Sequence, residues 1–231
     1  MSVLRIGDLA VEVRRSSRRR SVGLTVERDG RVVLAAPEGL AEGRLMEFLR
    51  DKQFWIYTKL AERATKGRAI GTKEFVSGEG FSYLGRTHRL LLVDRQEPVL
   101  SLRDGRFRLQ RSEACRGREH FIRWYTEHGT PWLKRRMERW AERMGVEPKG
   151  VAVRDLGYRW GSCGHARRVN FHWATMLLPP PIVDYVIVHE LAHLAVPNHG
   201  PAFWRKVGLA LPEYEIRKAW LATHGGQQVL K

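Results

Sequence analysis

Pro179-Pro180-Pro181-Ile182-Val183-Asp184-Tyr185-Val186-Ile187-Val188-His189-Glu190-Leu191-Ala192-His193 decides how the C-terminal half of this 231-residue chain is read. Prolines suit a helix start, because the first helical N–H groups have no partner to lose. Val183, Val186, Ile187, Leu191 and Leu194 then recur at helical spacing, so Pro179 to Val196 is expected to be a helix with one buried stripe. His189 and His193 stand four apart on that helix, and one turn brings such positions to one face. The pattern is His-Glu-x-x-His, in which two imidazoles reach a common zinc while the Glu projects beside the water. A third ligand must come from elsewhere. His199 lies beyond Pro197 and Asn198, which end the helix and let the chain turn back, so His199 is the expected third ligand. Glu213, Glu215, His224 and the pair Cys163 and His165 stand as competing candidates.

The chemistry follows from that donor set. Three neutral imidazoles leave a zinc its full positive charge and one open position, where water acidifies toward neutral pH and becomes a nucleophile. Glu190 is expected to take its proton as general base and to return it to the leaving group. A peptide carbonyl suits this attack. A phosphoanhydride suits it too, so a metal-dependent hydrolase of nucleotides is the alternative activity.

Upstream of the helix, Val151 to Leu156 and Val169 to Trp173 read as short strands; downstream, Ala202 to Ala210 and Glu213 to Ala222 read as shorter helices. The first hundred residues are strand-like. Val22, Leu24 and Val26 alternate with smaller or polar residues, Asp29-Gly30 supplies a turn, and Arg31 to Ala36 returns, which is a hairpin signal. A helix follows from Leu40 to about Ala64, its apolar positions Leu45, Phe48, Leu49, Trp55, Ile56 and Leu60. Gly67 to Gly80 reads as a linker, Tyr83 to Val93 as a strand, and Val99 to Arg103 with Arg106 to Gln110 as a second hairpin about Asp104-Gly105. From Ser112 to about Met144 the pattern is helical, with a break expected at Gly129-Thr130-Pro131, since proline removes a donor from the ladder. Lys134, Arg135, Arg136, Arg139 and Arg143 give this segment a basic face, read as solvated. No sequence repeat or low-complexity tract occurs.

Composition narrows the class further. An apolar fraction of 43% supports a folded core, and no apolar run approaches a membrane span or a secretory h-region. Two cysteines, Cys115 and Cys163, are too few for a disulfide framework; both are expected as buried thiols, and a cytoplasmic location follows from a reducing compartment. The formal charge of +16 suits a polyanionic partner such as nucleic acid or nucleotides. A GC-rich coding sequence, with 32 Arg against 9 Lys, would produce the same balance without binding. If binding occurs, the chain is expected to be a nucleic-acid-associated protease, with Arg14, Arg15, Arg18, Arg19 and Arg20 together with Arg135, Arg136 and Arg139 as the phosphate track.

Several stretches taken in order carry a resemblance: Arg159-Trp160-Gly161-Ser162-Cys163, Leu177-Leu178-Pro179-Pro180, Asp184-Tyr185-Val186, the His189 to Leu194 run, and Asn198-His199-Gly200-Pro201 with Phe203-Trp204. With the Arg14 to Pro37 hairpin and Tyr83-Leu84-Gly85 they resemble the YgjP-like family of zinc metallopeptidases over nearly the whole chain. The resemblance implies a zincin-like catalytic half related to SprT-type and WLM-type metalloproteases. It also implies His189, His193 and His199 as ligands of one Zn2+ per chain, Glu190 as catalytic carboxylate, and a peptide or protein substrate. The spacing from His193 to His199 matches metzincins, yet Val196 replaces their glycine and no methionine follows, so the chain is not a metzincin. His172 stands where the family usually has Asn. Arg159 and Ser162 lie in a glycine-bearing loop ahead of the cleft strand and are expected to orient substrate or stabilise an oxyanion, whereas Trp160 and Trp173 are expected in the core. The expected fold is α+β: a β-rich N-terminal domain with one helix over 1–112, then a small zincin-like domain of helices and sheet over 113–231 carrying the His-Glu-x-x-His helix. No sequence feature sets the oligomeric state.

Overall fold

The computed structural model describes residues 2–6, 9–27, 29–66, 73–157, 159–164, 166–225 and 230, and the chain divides into two compact units, Met1–Ile70 and Gly71–Lys231. The architecture is mixed α+β. Trp55 lies outside the residues whose side chains are described.

The first unit is a four-stranded sheet with one helix. Strands β1 (Ser2–Ile6), β2 (Leu9–Ser16), β3 (Gly23–Val26) and β4 (Val32–Pro37) lie in the order β1-β2-β4-β3, and α1 (Glu42–Lys66) follows. The hairpin expected about Asp29-Gly30 is the antiparallel β3–β4 pair. Period-two alternation buries Leu9, Val11 and Val13 of β2, and these pack with Leu34, Leu45, Leu49 and Ile56 in one cluster. The arginines expected as a phosphate track are in part engaged here. Arg14 bonds Glu12 and Glu27, and Arg15 Nη1 donates to the carbonyls of Pro37, Glu38 and Leu40.

The second unit opens with the same strand order. Strands β5 (Gly80–Tyr83), β6 (Arg86–Val93), β7 (Leu100–Arg103) and β8 (Arg106–Gln110) lie as β5-β6-β8-β7, with a parallel central pair flanked by two hairpins, followed by α2 (Gly117–Met144). In both units, therefore, two hairpins share a parallel centre and a helix follows, although the sequences show no repeat. The strand expected over Tyr83 to Val93 is interrupted by a turn at Leu84-Gly85, where φ is 47° and 76°. The boundary expected near Ser112 lies inside this unit. Phe81, Phe107 and Leu109 of the sheet pack with Phe121, Trp124 and Tyr125 of α2, so the change from strand to helix there joins two parts of one core.

The break expected at Gly129-Thr130-Pro131 does not occur: α2 runs through Pro131. Gly129, Leu133 and Met137 are buried on one face and hold the helix against the core, which outweighs the lost donor. Gly129 itself meets Met176, whose Cγ would stand 2.8 Å from an added Cβ.

Beyond α2, strands β9 (Gly150–Arg154), β10 (Gly161–Cys163) and β11 (Arg168–His172) form a second sheet ordered β10-β11-β9, leaving β10 at an edge. A 3-10 turn, Trp173–Leu177, leads into α3 (Pro180–Ala192), α4 (Pro201–Ala210) and α5 (Tyr214–His224). Helix α3 is buried over nearly all its circumference from Ile182 to Ala192, wider than the single stripe expected. Among the described residues no helix is long and apolar enough to cross a membrane.

Candidate metal centre

Helix α3 carries His189 and Glu190 in its last turn, and His193 follows as its C-cap at φ −65° and ψ −19°. The chain turns through Pro197 and Asn198, and α4 then begins at Pro201. That turn brings His199 back, so that ligand-capable atoms of His189, His193 and His199 all lie within 4.8 Å of one another. Phe203 of α4 is fully buried beneath the three rings, with centroids 5.0, 4.6 and 4.7 Å from His189, His193 and His199. Trp204 lies 5.9 Å from both His189 and His199. An aromatic floor on α4 thus sets the position of an otherwise exposed histidine.

The cluster has the donor chemistry of a zinc site. Nε2 of His189 and Nε2 of His199 face each other at 3.0 Å. A tetrahedral ion with Zn–N bonds of about 2.0–2.1 Å holds its ligand nitrogens about 3.4 Å apart, so the two rings accept one with a small adjustment. His193 Nδ1 donates to Val196 O at 3.3 Å, which leaves its Nε2 lone pair for an ion. Burial, then the neighbouring His193 and His199, push His189 down to about 3, keeping it neutral. Burial, then His199, also lowers His193.

Glu190 is 7% exposed. Burial raises its carboxyl to about 7, opposed by Arg159 and by the Cys163 backbone N–H. Edge strand β10 passes very close to it: a Cβ built on Gly161 would stand 2.6 Å from Glu190 Cγ and 2.7 Å from Oε1. Gly161 is therefore part of the site, since only an absent side chain allows this approach. The sequence offers a signal, a glycine in the loop ahead of the cleft strand, without saying what approaches it.

A cleft of about 740 Å³ contains these groups, its walls including Arg159, Trp160, Ser162, Tyr185, Glu190 and the three histidines. Arg159 and Ser162 therefore border the cleft, as does Cys163. Asn170 Nδ2 donates to Ser162 Oγ at 3.3 Å. Burial, then Glu190, push Tyr185 up to about 12. Trp173 is buried as expected, whereas Trp160 is half-buried in the cleft wall. His172 is buried away from the cleft, its Nδ1 accepting from Ala174 N–H and its Nε2 at 3.3 Å from Asp155. Cys115 is exposed and Cys163 half-buried, so neither thiol is fully buried as expected.

The competing third ligands are engaged elsewhere. Glu213 pairs with Arg217, Glu215 accepts from Tyr214, and His224 contacts Trp220. His165 lies outside the described residues.

One further contact fixes the helix under the site. Asp184, 8% exposed, accepts from Arg136 Nε at 2.5 Å, Arg136 Nη2 at 2.8 Å and Trp140 Nε1 at 2.8 Å. Arg136, expected on a solvated basic face, is thus a half-buried tie between α2 and α3.

A mixed α+β frame holding three converging imidazoles beside a buried carboxylate belongs to a metal-dependent hydrolase. The sequence pattern of the YgjP-like metallopeptidase domain matches residues 20–224, and the chain belongs to that family. It is similar, at 24% identity and a TM-score of 0.36, to the crystal structure of the metallopeptidase zymogen abylysin of Pyrococcus abyssi, over 39% of this chain and 92% of that one. No curated protein matches this chain.

Proposed function

We propose that this metallopeptidase is a cytoplasmic zinc enzyme of the zincin type, with one zinc held by His189, His193 and His199 at the end of a His-Glu-x-x-His helix. The convergence of the three imidazoles carries the reading. Zinc, when bound, supplies a Lewis acid that polarises a substrate carbonyl and acidifies water. The protein's own residues do the rest. Glu190 takes the proton of the attacking water on its carboxylate and delivers it to the departing amine, and its burial in the cleft wall supports that role. Gly161 lets β10 lie against that carboxylate, and the Cys163 N–H holds it in orientation. Arg159 and Ser162, on the cleft wall, orient the peptide and its developing oxyanion. Two free thiols support a reducing compartment.

The test is a side-by-side assay of an unfolded protein substrate and nucleoside triphosphates with the zinc-loaded chain. Peptide cleavage that Glu190→Gln abolishes is expected. Triphosphate hydrolysis without peptide cleavage would overturn the reading.

A further inference from the structure

The sheet of β5, β6, β8 and β7 has two chemically different faces. Phe81, Leu90, Leu100, Phe107 and Leu109 point into the core, and side chains one position along each strand point the other way. On that second face the register sets Arg89 of β6 opposite Arg106 of β8, and Arg106 opposite Arg103 of β7. All three are exposed. Arg108 follows two positions along β8, its Nη2 reaching Asp104 at 3.4 Å. Arg89 Nη1 donates to Gly78 O at 3.2 Å, and no described carboxylate forms an ion pair with Arg89, Arg103 or Arg106. Like charges directly opposite each other destabilise a sheet, so this row opposes folding unless an anion occupies it.

We propose that this face binds the phosphate backbone of a nucleic acid. Neighbouring strands lie about 4.8 Å apart, so the outer arginine stems start about 10 Å apart with Arg106 between them. Extended guanidinium groups on such stems reach two or three successive phosphates, and each fork matches two phosphate oxygens. Because these contacts go to the backbone, binding is indifferent to base sequence. An acidic protein is the poorer occupant. Gly80, Ser82, Thr87, Leu91, Val93, Ser101 and Gln110 complete the face, which carries no aromatic anchor of the kind that dominates protein interfaces. The site differs from the arginines that stand out in the sequence, of which Arg14, Arg15 and Arg136 are already bonded within the protein.

Fluorescence anisotropy of the full chain with a labelled 20-nucleotide oligothymidylate, titrated from 50 to 200 mM salt, tests this. Three phosphate contacts on a single strand correspond to a log–log salt slope near −2, a loss of roughly 20-fold in affinity across that range. The double variant Arg89→Ser with Arg106→Ser should flatten the slope to about −0.7, a loss of roughly threefold across the range, whereas replacing Arg18, Arg19 and Arg20 by Ser should leave it unchanged. The single variant Arg103→Ser, at an edge strand, should flatten it by one contact. Both sheet variants should unfold at or above the parent's temperature, since each removes like-charge repulsion. An unchanged slope in the sheet variants would overturn the proposal. So would an absence of saturable binding at 50 mM salt, or stronger displacement of the oligonucleotide by polyglutamate than by unlabelled oligothymidylate.

Discussion

Gly161→Ala places one methyl group where none fits. The added Cβ would stand 2.6 Å from Glu190 Cγ, 2.7 Å from Oε1 and 2.8 Å from Cδ, against ordinary contacts of about 3.5 Å or more. Either β10 or the carboxylate must therefore move by about 1 Å. Overpacking of this kind costs about 1–3 kcal/mol of stability, which leaves the protein folded. With Glu190 as the proposed general base, displacing it by that distance should lower kcat/KM roughly a hundredfold. The proposed metal ligands are untouched, so zinc content should stay at the parent's level. A cycle with Glu190→Gln isolates the cause: if Gly161 acts through the carboxylate, Gly161→Ala should slow the Glu190→Gln enzyme hardly at all. Peptide cleavage by Gly161→Ala within threefold of the parent, or a full hundredfold loss repeated in the Glu190→Gln background, would refute the reasoning.

The remaining expectations use the same preparation. Purified protein should carry about one zinc per chain by elemental analysis, and His193→Ala should lose it. Glu190→Gln should retain zinc but lose turnover by roughly a hundredfold or more, because Glu190 is assigned to the water rather than the ion. Asp184→Ala strands the half-buried Arg136 and should lower stability by about 3–5 kcal/mol in denaturant titration, with Asp184→Asn less damaging because it keeps one acceptor oxygen for Arg136 Nε and Trp140 Nε1 while losing the one for Arg136 Nη2. In the metal-free protein Glu190 is raised from 4.5 to about 7, so its contribution is full below pH 4.5 and is lost as pH rises through 7. Relative to the parent, metal-free Glu190→Gln should thus gain up to ~3 kcal/mol between pH 4.5 and pH 8, and a pH-independent difference would contradict the burial of that carboxylate.

What the sequence discloses depends on how local each arrangement is. His189, His193 and the turn through Pro197 to His199 are set within one helix and its exit, so their spacing in the sequence is enough to bring them together. Helix α1 and the hairpins about Asp29-Gly30 and Asp104-Gly105 are local in the same sense. Gly161 and Glu190 are distant in sequence, and Arg136 and Asp184 are 48 residues apart, so neither contact leaves a periodic trace. The expected boundary near Ser112 falls inside one unit for a related reason. A change from strand to helix marks new backbone hydrogen bonding, whereas a domain boundary marks the edge of a core, and here Phe81, Phe107 and Phe121 span that change. Helix α2 passes through Pro131, against the expected break, because a proline penalty of about 3 kcal/mol is smaller than the burial of the α2 residues on either side.

The arginine row completes this argument, because it is invisible both to composition and to local pattern. The +16 charge directs attention to the runs of Arg along the chain, yet neighbours in sequence point to opposite faces of a strand or diverge around a helix. Arg89, Arg103 and Arg106 are interleaved with Leu90, Leu102 and Phe107, and become one surface only through the parallel pairing of β6 with β8 and the hairpin of β7 with β8. A single-residue slip in either register would send some of these charges into the core, so the hydrophobic alternation that fixes the register also aligns the cations. The charge relevant to binding is therefore set by sheet pairing, and variants that preserve total charge while moving one arginine by one position should lose binding as fully as those that remove it.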